Sequence, residues 1–242
     1  MSKTVFITGA SSGLGKGMAE EFARRGYNLA LAARRSLEEL AQDLQNRFGV
    51  RAVAYALDVS DADAVKGCLE QVKSDFDQID IVIANAGIGV TMAIGKGDFS
   101  EAQKTVDTNI TGLMATVEFA LPILREQGFG QIVGISSVAG LRGMPSIGVY
   151  SGTKSFVTSY LQTLQVEAWR ENIDVTILAP GYIDTPINQG AKSRPFVIPL
   201  EKGVVEMVDK IEKKVSYSFV PGWPWHVVGR IIKILPNRFF AK

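Results

Sequence analysis

The sequence predicts an α/β fold: a doubly wound parallel sheet of about seven strands, covered by helices on both faces, in a single domain. Three observations carry that prediction. Short β-branched runs alternate with longer amphipathic stretches along the chain. The first such run ends in a glycine-rich turn that opens directly into a helical pattern. The chain has 242 residues, 46% of them hydrophobic, which supplies one substantial core and too little for two comfortable ones.

Taken in order, the short β-branched runs predict strands near 3–8, 28–33, 51–57, 79–84, 130–136, 173–179 and 216–220. Helical patterns fill the intervals near 13–26, 36–48, 61–74, 98–127, 148–171 and 200–214. Ser36 with Glu39 and Ser60 with Asp63 have the spacing of helix caps. Three segments stand outside this rhythm: a Gly-rich insert at 87–97, a loop at 180–199, and the tail from 221. The expected organisation is a catalytic domain over 1–220, including the 180–199 loop, with 221–242 as a tail rather than a separate domain.

Composition removes several classes of function. With 26 basic and 25 acidic residues, nothing advertises nucleic acid as a partner. Cys68 is the only cysteine and His226 the only histidine, which rules out an internal disulfide and leaves very little for a zinc site or a Ser/His/Asp triad. No metal is expected. The opening Met-Ser-Lys-Thr-Val-Phe-Ile-Thr run does not read as a signal sequence, so a cytoplasmic setting is expected.

The first strand runs into Thr8-Gly9-Ala10-Ser11-Ser12-Gly13-Leu14-Gly15. Glycines at 9, 13 and 15 allow a tight turn and let a pyrophosphate approach the helix N-terminus, where free N–H groups and the helix dipole favour negative charge. A dinucleotide site follows. A P-loop is the competing motif, but Ala10 stands where its first glycine belongs and Gly17 where its Mg²⁺-holding Ser or Thr would be. At the end of the second strand, where an acidic residue would bind the ribose of NAD, the chain reads Ala32-Ala33-Arg34-Arg35. Guanidinium groups pair with phosphate oxygens, so NADP(H) is the preferred cofactor, with NAD(H) as the alternative.

Tyr150 and Lys154 are four residues apart at the start of a long helical pattern, which puts both on one face. An ammonium beside a phenol favours the phenolate and is expected to lower the Tyr150 pKa. Tyr150 could then exchange a proton with a carbonyl oxygen as hydride arrives or leaves. Ser136-Ser137 close a strand at its carboxyl end, where a hydroxyl could hold the same oxygen.

Together, Gly9, Gly13 and Gly15, Asn85-Ala86-Gly87, Asn109, Ser137, Tyr150 with Lys154, and Pro180-Gly181 resemble the short-chain dehydrogenase/reductase family in order and spacing. The match covers about residues 1–186. The resemblance implies that Ser137, rather than Ser136, is the catalytic serine, and that Asn109 holds a water in a proton relay. It implies that Lys154 also binds the nicotinamide ribose, that Asp58-Val59 meet the adenine ring, and that Thr185 meets the nicotinamide carboxamide. Asn85 would steady the sheet beside the cofactor. Further cofactor contacts are implied for Ser11, Ser12, Leu14, Arg34, Arg35, Ala86, Gly87, Tyr150, Pro180, Gly181 and Ile183. Two positions depart from the family pattern: Ala84 replaces an Asn, and Ser12 stands where many NADPH-using members carry Lys or Arg. The second shifts phosphate recognition onto Arg34.

Apolar residues around the expected cleft, among them Val138, Leu141, Met144, Tyr182, Ile187, Phe196 and Val197, point to a hydrophobic ketone or its alcohol. The resemblance implies a homo-oligomer, a dimer or tetramer, paired through the helices at 98–127 and 148–171. An alternative of a different class is an NADPH-binding regulatory module with little turnover. In the tail, a helix over 226–235 would group His226, Gly229, Arg230 and Lys233 on one face and Val227, Val228, Ile231, Ile232 and Leu235 on the other. Such a helix suits first a cover over the cleft or a subunit contact, and second a peripheral contact with a membrane interface.

Overall fold

The computed structural model describes residues 2–189 and 193–240. Its strands are β1 (Thr4–Thr8), β2 (Asn28–Ala33), β3 (Ala52–Ala56), β4 (Ile81–Ala84), β5 (Gly130–Ile135), β6 (Ile173–Pro180) and β7 (Tyr217–Val220). Between and after them stand α1 (Gly13–Arg24), α2 (Glu38–Phe48), α3 (Ala62–Phe76), α4 (Phe99–Val106), α5 (Gly112–Gln127), α6 (Gly148–Glu167), α7 (Leu200–Glu212) and α8 (Gly222–Ile234). The sheet order is β3-β2-β1-β4-β5-β6-β7, and every neighbouring pair is parallel. The chain winds outward from β1 to β3 and then crosses back to β4, so the carboxyl ends of β1 and β4 flank the crevice where such sheets bind ligands.

The strands are apolar on both faces because both faces are covered. Val5, Ile7, Leu29 and Leu31 point to the layer containing α1, α2 and α7, while Phe6, Ala30 and Ala32 point to the layer containing α3, α5 and α6. Full burial of a side chain such as Phe6 or Leu29 contributes about 1.5–3 kcal/mol before entropy is counted. Beside the first layer, Arg25 joins α1 to α7 by bonding Glu21 and Asp209, each at 2.7 Å, and Glu212.

Local expectations are corrected in four places. The helical run at 98–127 is interrupted by a π turn at Asp107–Thr111, which separates α4 from α5 and carries Asn109. Ser36 does not cap α2; its hydroxyl bonds Glu38 and the helix begins after Leu37. Asp61, not Ser60, caps α3 by accepting from the Ala64 N–H at 3.0 Å, while Ser60 donates to Asp58. In the tail, α8 starts at Gly222, and its apolar residues divide between two sides: Trp225, Val228 and Ile232 face the protein, whereas Val227, Ile231 and Ile234 are exposed.

Candidate active site

The glycine turn after β1 is shaped by contacts that exclude side chains. A Cβ on Gly15 would stand 2.2 Å from the Gly9 carbonyl oxygen, and one on Gly9, where φ is +69°, would stand 2.8 Å from the Ala86 Cα. α1 follows at once. Its N-cap residue Ser12 makes no side-chain cap, and its first turn holds no carboxylate, so its N–H groups remain available to an anion. Asn85 ties the adjoining β4 end to β1: its Nδ2 donates to the Thr8 carbonyl at 2.8 Å, and the Asn85 and Ala86 N–H groups both donate to the Thr8 hydroxyl at 3.1 Å. Thr8 is a positioning residue that the sequence reading did not single out.

Arg35 folds over this turn. Its guanidinium donates to the Ser11 hydroxyl at 3.0 Å and to the Ser12 hydroxyl at 2.9 Å. Arg34 points the other way, toward Asp58 at 3.8 Å, and is largely exposed. A cradle that would be filled by any Cβ, an uncapped helix start and two guanidinium groups fit a phosphorylated dinucleotide.

The reactive side chains lie beyond the ends of β4 and β5. Asn109 is buried, and its carboxamide pairs with the backbone of Ile88, accepting from its N–H at 2.8 Å and donating to its carbonyl at 2.9 Å. Nδ2 also donates to Thr153 Oγ1 at 3.0 Å, which links the π turn to α6. A Cβ on Gly87 would meet Asn109 Oδ1 at 3.3 Å and Lys154 Nζ at 3.4 Å, so the two groups converge closely on this glycine. Ser136 donates its hydroxyl to the Lys154 carbonyl at 2.9 Å and also bonds the Thr158 hydroxyl, which commits it to anchoring α6. Ser137 accepts from the Ala139 N–H at 3.1 Å and donates its hydroxyl to the Pro180 carbonyl at 3.4 Å. The two adjacent serines therefore do different work.

Lys154 is buried and donates to the Ile135 carbonyl at 2.8 Å. Burial brings its pKa down to about 8. Burial also pushes the Tyr150 phenol above its ordinary value, and the neighbouring Ser137 hydroxyl works against this. The sequence reading expected the opposite direction for Tyr150. The reason for the difference is geometric: the Lys154 ammonium engages Ile135 and lies 5.8 Å from the centroid of the Tyr150 ring, so desolvation dominates.

One cavity of about 850 Å³ joins these groups. Gly9, Ser11, Ser12, Gly13, Leu14, Gly15, Arg34, Arg35, Val59, Asn85, Ala86 and Gly87 line one end, and Pro180, Gly181, Ile183 and Thr185 line its side. Ser137, Tyr150 and Lys154 lie along it with Val138, Met144 and Tyr182. Asn109 sits one residue behind the lining residue Thr108, and Asp58 stands between the lining residues Leu57 and Val59. Leu141 is misassigned by the sequence reading: it packs under α8, where a Cβ on Gly229 would stand 3.1 Å from it. Among the lining residues that the sequence did not reveal are Arg142 and Trp225. Arg142 donates to the Ile232 carbonyl at 3.0 Å, bonds the Leu235 carbonyl and Asn237, and stacks on Phe240 at 4.5 Å. Trp225 is 3% exposed and lies against Gly181. These contacts make α8 a wall of the cavity.

A family model described as short chain dehydrogenase matches residues 3–195. The chain belongs to this family. An uncharacterized oxidoreductase of Mycobacterium tuberculosis is 37% identical over 238 residues, spanning 97% of this chain and 94% of the relative. An NADP-dependent 3-hydroxy acid dehydrogenase of Schizosaccharomyces pombe is 35% identical, over 76% of this chain and 72% of its own. Among solved structures, an alcohol dehydrogenase from the archaeon Thermococcus sibiricus, complexed with 5-hydroxy-NADP, superposes with a TM-score of 0.83 at 30% identity, over 91% of this chain and 96% of that one. This short-chain dehydrogenase is thus an oxidoreductase whose cofactor is a nicotinamide dinucleotide.

Proposed function

We propose that this short-chain dehydrogenase interconverts a carbonyl and an alcohol on an apolar substrate, with NADP(H) preferred over NAD(H). The observation that carries the reading is that Ser137, Tyr150 and Lys154 line the same apolar-walled cavity. The bound cofactor supplies or accepts the hydride. Tyr150, held as a neutral phenol by burial, donates the proton to a carbonyl oxygen in the reductive direction, and Ser137 orients that oxygen. Lys154 is the charge next to the phenol, and Asn109 positions Ile88 and Thr153 around it. Arg35, held over Ser11 and Ser12, and the exposed Arg34 support the phosphate preference, since either can reach a group at the mouth of the glycine turn.

Val138, Met144, Tyr182, Ile187, Trp225 and Ile232 give the rest of the cavity its apolar character and support a hydrophobic substrate. The expected homo-oligomer would use α5 and α6; just past α6, Trp169 stands open to solvent, as does Val166 within it. No helix among the described residues is long and apolar enough to cross a membrane. Initial rates of NADPH and NADH oxidation against a panel of aliphatic, aromatic and polycyclic ketones test the reading. Turnover that rises with substrate apolarity and favours NADPH is expected. Tight NADPH binding without turnover across the panel would contradict the enzyme reading and favour a regulatory module.

A further inference from the structure

The outer side of α8 combines two properties that the site does not use. Val227, Ile231 and Ile234 lie at spacings of four and three on its exposed side, with Trp223 one turn ahead; Trp223 is 77% and Ile234 80% exposed. Interleaved with them are the exposed cations Arg230 and Lys233, and Arg238 follows. After Glu212 the sequence contains no Asp or Glu, although Lys and Arg occur at 213, 214, 230, 233, 238 and 242. At the start of α8, the Glu206 carboxylate is engaged by the Gly222 N–H and by Lys210. On the substrate loop, Phe196 packs edge-on against Trp225 of α8 with ring centroids 5.9 Å apart and, with Val197, remains exposed.

A helix whose inner side is already packed on Phe219, Leu141 and Tyr182 does not need a second apolar side for folding. A second copy of this chain is a poor occupant, because a two-fold contact would set the cations of one copy against those of the other with no carboxylate between them. An anionic surface meets both properties at once. We propose that the outer side of α8, with Phe196 and Val197, docks on an anionic lipid bilayer and presents the cavity wall formed by Trp225 and Ile232 to lipid-dissolved substrate. The proposal deepens the apolar-substrate reading and rests on it, but lipid docking is measured without turnover.

The test is co-sedimentation of the full chain with vesicles rich in phosphatidylglycerol and with vesicles of phosphatidylcholine alone. Binding to the anionic vesicles is expected, weakened by salt because the contact is at a surface. Each basic residue near such a surface contributes about fivefold, so the R230Q/K233Q double variant should bind about 25-fold more weakly, with NADPH affinity by fluorescence unchanged. The W223S/I234S variant should also lose binding at an unchanged oligomeric size. Equal binding to both kinds of vesicle, no binding at low salt, or full binding by R230Q/K233Q overturns the proposal. So does a W223S/I234S chain that becomes a smaller oligomer yet sediments like the parent, which would identify the stripe as a subunit contact. Ketone turnover without vesicles reports on the catalytic reading independently.

Discussion

The Lys154 ammonium donates to the Ile135 carbonyl at 2.8 Å while lying 5.8 Å from the ring centroid of Tyr150, so the helix spacing that brings the two together does not by itself make an ion pair. Lys154 instead carries its charge into a buried position, where its pKa falls to about 8. The sign of the pH dependence follows. Below about pH 8 the ammonium is present, and above it the charge is lost. NADPH binding to the free enzyme, followed by fluorescence, is predicted to weaken as pH rises through this value. Lys154→Met should bind weakly and without that inflection; an unchanged inflection in the variant would assign the titration to another group.

The two arginines after β2 predict different cofactor effects. Arg34 makes only a loose contact with Asp58, so Arg34→Ala should cost NADPH about 1.5–3 kcal/mol and leave NADH nearly untouched. Arg35 also holds the Ser11 and Ser12 hydroxyls, so Arg35→Ala should weaken both cofactors. Dissociation constants for NADPH and NADH on both variants check this. Equal losses for both cofactors in Arg34→Ala would make that residue structural.

Arg142 predicts how α8 is held. Its guanidinium bonds the Ile232 and Leu235 carbonyls at the helix C-terminus, where positive charge is favoured. Arg142→Ala is expected to cost the tail about 1.5–3 kcal/mol of local stability, seen as faster limited proteolysis after Val220 and a higher KM for apolar ketones. A proteolysis rate equal to that of the parent would show that packing of Trp225 alone retains the helix.

Arg25 predicts a stability effect remote from the site. Glu21 is buried, and its carboxyl is held below the ordinary value of 4.5, first by the Arg24 hydrogen bond and, against desolvation, by Arg25. The stabilisation is present above that ordinary value and is lost as pH falls through the lower folded value. Arg25→Ala should therefore cost about 1.5–3 kcal/mol at neutral pH by urea denaturation, and less in strong acid, where the parent has lost the same contribution.

The strands were legible because a sheet buried on both faces leaves near-continuous apolar runs, and β1, β2 and β5 could be read directly. The glycine turn, Tyr150 and Lys154 were legible because their spacing is local. What the sequence hid depends on distant partners. The bonds of Arg142 reach 90 and more residues along the chain, and Thr8 meets Asn85 across 77. The π turn at Asn109 was invisible for the same reason, since the helical period runs through it and only distant contacts, with Ile88 and Thr153, mark it. Leu141 and Val138 look alike as apolar residues after the serines, and only the path of the 3₁₀ turn at Val138–Leu141 sends one to the cavity and the other beneath α8.

The central claim is that the Tyr150 hydroxyl carries the proton, and Tyr150→Phe tests it most directly, because it removes that hydroxyl and little volume. Single-turnover reduction of a ketone by prebound NADPH is predicted to slow by about 10²–10⁴-fold in the variant, with NADPH affinity nearly unchanged. Reduction at the parent rate would contradict the assignment.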